Sequence, residues 1–141
     1  MASDGQGDGG TGRGVLVIQR DPLAALDIAE TLARDLPGIA LVLARSCDEA
    51  LAQAAGRPAP SVALVAAAPE GFGASPLGRR LAGAGVRVIL TGDAAEERGE
   101  AAGFAVLHRP FTSRALVDCL RAALAAPPQA DNVSVEAKSI A

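Results

Sequence analysis

The 141-residue sequence has no tryptophan and no tyrosine, and Phe72, Phe104 and Phe111 are its only aromatic residues. Flavin and nucleobase sites are commonly built on aromatic stacking surfaces, so this scarcity argues against them. Histidine occurs once, as His108, and lysine once, as Lys138; the remaining cationic side chains are all arginine. With a net charge of −3 and no basic cluster, the chain lacks the grouped cations that phosphate backbones require, and nucleic acid is not an expected partner. Cys47 and Cys119 stand apart, without a CxxC or a histidine cluster, and read as small apolar side chains in a reducing compartment. No apolar run approaches the roughly 20 residues of a membrane span. The Gly- and Asp-rich beginning has no signal-peptide core, so a cytoplasmic location is expected and no membrane partner.

Half of the chain is hydrophobic, enough for one core and too little for two. Residues 1–13 ("MASDGQGDGGTGR") are expected to form a disordered tail and residues 127–141 a flexible one. The strand-like piece "NVSVEAKSI" in the latter could add to a partner's sheet edge, with disorder the preferred reading. Residues 14–126 are expected to form a single domain, in which short apolar runs alternate with helical periodicity. Of the runs "GVLVI", "IALVL", "VALVA", "VRVIL" and "FAVL", most are apolar throughout rather than alternating, as strands covered on both faces should be. Each run is followed by a helical segment, five in all. The first starts near Pro22 with Asp21 as N-cap, and buries Ala25, Ile28, Ala29, Leu32 and Leu36. Ser46 and Glu49 have capping-box spacing. Ser75 and Pro76 open a third helix at "SPLGRRLAG", Asp93 and Glu96 are placed to cap a fourth, and Leu116, Leu120, Ala123 and Leu124 line the last. The pattern predicts an α/β domain, a (βα)5 doubly wound parallel five-stranded sheet with its site at the carboxyl ends of the strands.

The segments "VLVIQRDP", "ARSCDEAL", "VRVILTG" and "HRPF", in this order and spacing, resemble the receiver domain of bacterial response regulators, a CheY-like superfamily. The resemblance covers about Gly14 to Ala126 and implies the flavodoxin-like strand order 2-1-3-4-5. Receivers accept a phosphoryl group on an aspartate ending the third strand. They hold Mg²⁺ with an acidic pair after the first strand, and bind the phosphoryl oxygens with a hydroxyl after the fourth strand and a lysine before the proline after the fifth. The chemistry needs a carboxylate nucleophile, hard anionic oxygens for the metal and positive charge on the phosphoryl oxygens. In this sequence the acidic pair falls on Gln19 and Arg20, and the acceptor on Ala66, or on Val65 if the register slips by one. Thr91 matches the hydroxyl, Arg109 stands at the lysine position, and Val106 stands where many receivers carry a switching aromatic. Asp21 completes this vestigial pocket as the surviving acid.

The resemblance therefore implies a degenerate pseudo-receiver that needs no Mg²⁺ or other cofactor, is not an enzyme, and acts through protein contacts in bacterial two-component signalling. The implied partners are a histidine kinase, a phosphotransfer protein or another regulator. A homodimer through the fourth helix, fifth strand and fifth helix is a further implied mode, with Glu97, Arg98, Val106, Arg114, Asp118 and Arg121 as candidate interface residues. Each charged member is also what an ordinary solvated helix face would show. Two alternatives stand beside this reading. The altered pocket could bind a small anion or nucleotide through Arg20, Thr91 and Arg109, unless Asp21 and Glu70 neutralise the arginines. The chain could also accept phosphate on a non-standard acid, Glu70 or Asp21. His108 could serve as an acid or base only with a nucleophile beside it, and is read instead as a loop residue satisfied by backbone.

Overall fold

The computed structural model describes residues 14–125; the expectations for the two tails fall outside them. Five strands, β1 (Gly14–Ile18), β2 (Ala40–Ala44), β3 (Val62–Ala66), β4 (Arg87–Thr91) and β5 (Ala105–Val106), alternate with helices. All neighbouring strands are parallel, in the order β2-β1-β3-β4-β5. This is the flavodoxin-like order 2-1-3-4-5. Strand boundaries differ from the apolar runs in β2 and β4, which are shifted by one residue because the ladder begins after Ile39 and Val86 and continues into Ala44 and Thr91, and in β5, which is one residue shorter at each end.

The helices are α1 (Pro22–Asp35), α2 (Cys47–Ala54), α3 (Pro69–Ala74), α4 (Pro76–Gly83), α5 (Asp93–Arg98) and α6 (Ser113–Ala125). That is one more than the periodicity predicts. The extra helix, α3, lies in "PEGFGA", where two glycines in six residues oppose helix formation; Pro69 at its start and the buried ring of Phe72 hold it down. The ring of Phe72 meets Phe104 edge to face, with centroids 6.1 Å apart.

Side chains alternate across the sheet and feed two cores. On one face Val15, Val17, Val62, Leu64 and Ile89 pack beneath α1 and α6 through Ile28, Leu32, Leu116 and Leu120. On the other, Leu16, Ile18, Ala63, Val65 and Leu90 pack with Ala50, Phe72, Leu77, Leu81 and Ala95. Three helix starts follow their expected caps. Asp21 Oδ1 accepts from Leu23 N at 3.0 Å, Ser46 Oγ from Glu49 N at 3.0 Å, and Ser75 Oγ from Gly78 N at 2.9 Å. Glu49 returns its side chain to the amide of Arg45 at 2.6 Å, one residue before the cap. The start of α5 differs from expectation. Its N-cap is Gly92, which makes no side-chain bond and has φ 114, a left-handed region where a Cβ would strain the turn. Asp93 and Glu96 are thereby released for other work.

Candidate functional site

The parallel register sets the site. Ile18 pairs with Val65 and Ala66 with Thr91, so Gln19, Ala66 and Thr91 stand level on three adjacent strand ends. By the alternation of a strand they share the α1–α6 face of the sheet. Val65 is fully buried while Ala66 is exposed. The position at the mouth of the site is therefore Ala66, and a methyl group offers neither a nucleophile nor a metal ligand.

The loop after β1 is closed on itself. Gln19 Oε1 accepts from Asp21 N at 3.1 Å, and Asp21 spends one oxygen on the α1 cap. Arg20 is exposed and makes no hydrogen bond or ion pair among the described residues. A divalent cation would meet one neutral amide oxygen, one carboxylate already capping a helix, and a guanidinium. This donor set does not fit Mg²⁺, which takes hard anionic oxygens. Asp21 does not reach Arg20, and Glu70 is engaged elsewhere.

Glu70 on α3 forms a two-pronged pair with Arg98 on α5, Nε to Oε2 at 2.5 Å and Nη2 to Oε1 at 3.1 Å. Glu97 adds a second carboxylate to Arg98 at 3.1 Å. Arg109, after β5, is drawn to the other side of α5. Its backbone amide and its Nε both bond Glu96 Oε2, at 2.8 and 2.9 Å, and its Nη2 bonds Asp93. The guanidinium at the lysine position is thus held by Glu96 and Asp93 of α5, whereas the Arg20 and Thr91 side chains make no hydrogen bond among the described residues. The Arg109–Pro110 peptide is cis.

These contacts hold the Glu70 and Glu96 carboxyls below the usual glutamate range. The cause is the hydrogen bond from Arg98 in one case and from Arg109 in the other. A depressed folded-state value means that each pair contributes above the unfolded value and is lost as pH falls through the folded one. Both glutamates are therefore expected to titrate below an ordinary glutamate, as read from their carboxyl carbon shifts, with the depression shrinking at high salt because the pairs lie at the surface. An ordinary midpoint for both would dissolve the network.

Thr91 is 5% exposed, and its hydroxyl is buried without a hydrogen-bond partner among the described residues. Burying such a group costs free energy that an apolar isostere avoids. Thr91→Val is therefore expected to raise stability by about 1 kcal/mol, seen as a higher denaturant midpoint at unchanged slope. A fall instead would mean that the hydroxyl is hydrogen-bonded.

The remaining candidates scatter. Glu97 and Arg98 are exposed on α5, and Val106 is half-buried on β5. Arg114 and Asp118 form an i,i+4 pair at 3.9 Å on α6. Arg121 leaves that group, donating to the Asp35 carbonyl at the end of α1 at 3.2 Å. His108 pairs with the Glu100 carboxylate at 3.3 Å, a side-chain partner where backbone was expected. Burial raises the Cys47 and Cys119 thiols above their ordinary value, which suppresses the thiolate and agrees with packing roles. Among the described residues no group of three His, Cys, Asp or Glu is placed to share a metal ion. No helix among them is long and apolar enough to cross a membrane. Sequence reasoning missed the role of α5 as the acidic partner of Arg109. Its concentration of acids in "DAAEERGE" was the available signal.

No family model matches the chain, and no curated protein matches it by sequence. Its shape does find neighbours. A response regulator receiver protein from Burkholderia phymatum has a TM-score of 0.65 at 28% identity, covering 82% of this chain and 98% of that one. The signal receiver domain of an HD domain-containing protein from Pseudomonas fluorescens has a TM-score of 0.62 at 25% identity, covering 81% and 88%. These neighbours are response regulator receiver domains, and this chain has their CheY-like fold. A chain described as an adenylate cyclase from Rhodopirellula baltica has a TM-score of 0.64 at 17% identity, covering 92% and 98%; at that identity the likeness concerns the fold alone.

Proposed function

We propose that this chain is a pseudo-receiver, a phosphorylation-independent protein-interaction module of two-component signal transduction in the cytoplasm. The receiver fold supports the signalling context. The observation that carries the rest is the methyl group of Ala66 at the mouth of the strand ends, level with an amide at Gln19 and followed by a cation at Arg20. Acyl-phosphate chemistry needs a carboxylate there, so the domain is read as a binding partner and not an enzyme. A kinase, a phosphotransfer protein or another regulator is the class of partner that meets such a fold.

The test is a titration with beryllofluoride and Mg²⁺, which mimic an acyl phosphate on a carboxylate, followed by backbone amide shifts. The amides of residues 19–21, 66–70, 91–93 and 108–110 are expected to stay in place, and shifts confined to them would overturn the proposal. One pair of observations favours a second reading, in which the strand ends bind a small anion: Arg20 is exposed and unpaired among the described residues, and the Thr91 hydroxyl two strands away is buried without a partner among them. Inorganic phosphate added alone separates the two, because saturable shifts at Arg20 and Thr91 would favour the anion.

A further inference from the structure

We infer that the free edge of β2 is a self-pairing surface, through which two copies of this chain join antiparallel about Val42 into one continuous sheet. The inference assumes nothing about phosphorylation. In the sheet order β2 is an outermost strand, bonded on one side to β1. Its Ala44 carbonyl accepts from Gln19 N at 3.0 Å, so the peptide groups of Ala44, Val42 and Ala40 face β1. Those of Leu41 and Leu43 then face outward, because successive residues of a strand point their N–H and C=O to opposite sides. The Gln53 amide, 3.5 Å from the Leu43 carbonyl, reaches that carbonyl from outside the sheet and leaves it a second lone pair.

The sequence of the edge is "ALVLA", a palindrome centred on Val42. A two-fold axis through Val42 sets Ala40 against Ala44, Leu41 against Leu43, and Val42 against its own copy. The outward groups of Leu41 and Leu43 then fall into two hydrogen-bonded pairs, each exchanging both backbone bonds. Such an interface is isologous and closes at two copies.

Packing points the same way. Edge strands of stable monomers are usually blunted by a charge, a proline, a bulge or short length. Over its five residues β2 has none of these and keeps an unbroken register with β1. Leu43 is 40% exposed, and in the dimer it would lie against Leu41 of the second copy on the same face. On the other face Val42 is only half-buried, beside an apolar cavity of about 210 Å³ bounded by Ala40, Val42, Ala50, Leu77 and Leu81. Cross-strand pairing of aliphatic side chains would supply what both faces of the edge lack. The opposite edge offers no equivalent, since β5 is two residues long.

The test is sedimentation of the full chain from about 10 µM to about 1 mM, a range suited to a small interface, with amide exchange measured in parallel. The expected result is a concentration-dependent mass of two copies. Exchange at Leu41 and Leu43 should slow with concentration, while Val42 and Ala44, already paired to β1, stay protected throughout. Leu43→Lys, at an exposed position, should weaken the dimer at least about tenfold with circular dichroism unchanged. A single-copy mass at every concentration would overturn the inference. So would a dimer that ignores Leu43→Lys and leaves the Leu41 and Leu43 amides unaffected, which would place the contact on another face.

Discussion

Incubated with a small-molecule phosphodonor and Mg²⁺, the chain is expected to keep its mass, with no phosphoryl adduct by intact mass spectrometry. The effect is all-or-none because the lost group is the one that forms the bond. A methyl at Ala66 cannot attack phosphorus, and no neighbouring substitution compensates for it. The metal that would neutralise the incoming phosphate meets an amide whose oxygen is occupied by Asp21 N, and a guanidinium that repels it. Two acids remain nearby. Glu70 is gripped by both prongs of Arg98, which lowers its basicity and fixes its orientation along α3–α5. Asp21 accepts from the first turn of α1, and phosphorylating it would forfeit a cap worth about 1 kcal/mol. An adduct mapping to either would restore the alternative of a non-standard acceptor.

Gly78→Ala is expected to destabilise the fold by about 3 kcal/mol or more, at the upper end for overpacking, measured by chemical denaturation. A Cβ there would sit 1.9 Å from the Phe72 carbonyl oxygen, 3.0 Å from its carbon and 3.2 Å from Ser75 Oγ. The obstacle is backbone, so no rotamer change relieves it. The same atoms form the α3–α4 junction, where Ser75 Oγ both donates to Phe72 O at 2.7 Å and accepts from Gly78 N. Making room means parting α3 from α4 and lifting Phe72 out of the core it shares with Leu77 and Leu81. Gly83, at the end of the same helix, has no atom within 4 Å of its added Cβ. Gly83→Ala should be neutral or gain up to about 1 kcal/mol by restricting the unfolded chain. Equal effects at the two positions would show that backbone propensity, and not the junction, sets the response.

These two results draw on different layers of information. The absence of a carboxylate at the end of the third strand is legible along the chain, because it depends on residue types at strand ends. Those ends are marked by short, mostly apolar runs. Gln19, Arg20 and Ala66 could be placed once the runs were aligned, and the caps of Asp21, Ser46 and Ser75 could be placed because a cap acts within three residues. The Gly78 junction is not legible in this way. Nothing in "PEGFGASPLG" announces a second helix, and α3 exists because Phe72 is held between α4 and Phe104.

The same boundary runs through the site. From sequence, Asp93 and Glu96 were suited to cap α5, and Arg109 to reach the strand ends. Both expectations rest on local spacing. In the folded chain Arg109 lies thirteen residues from Glu96 and meets it only because β4 and β5 are neighbours. Arg98 and Glu70, 28 residues apart, meet only because α3 and α5 flank the same strand ends. The sequence by itself determined which chemical groups could stand at the carboxyl edge, since an alanine cannot become a nucleophile in any fold. Only the tertiary structure decided which carboxylate each arginine would hold. Such pairs are weak contacts between long, rotatable side chains, and their partners are chosen by what packing brings within reach.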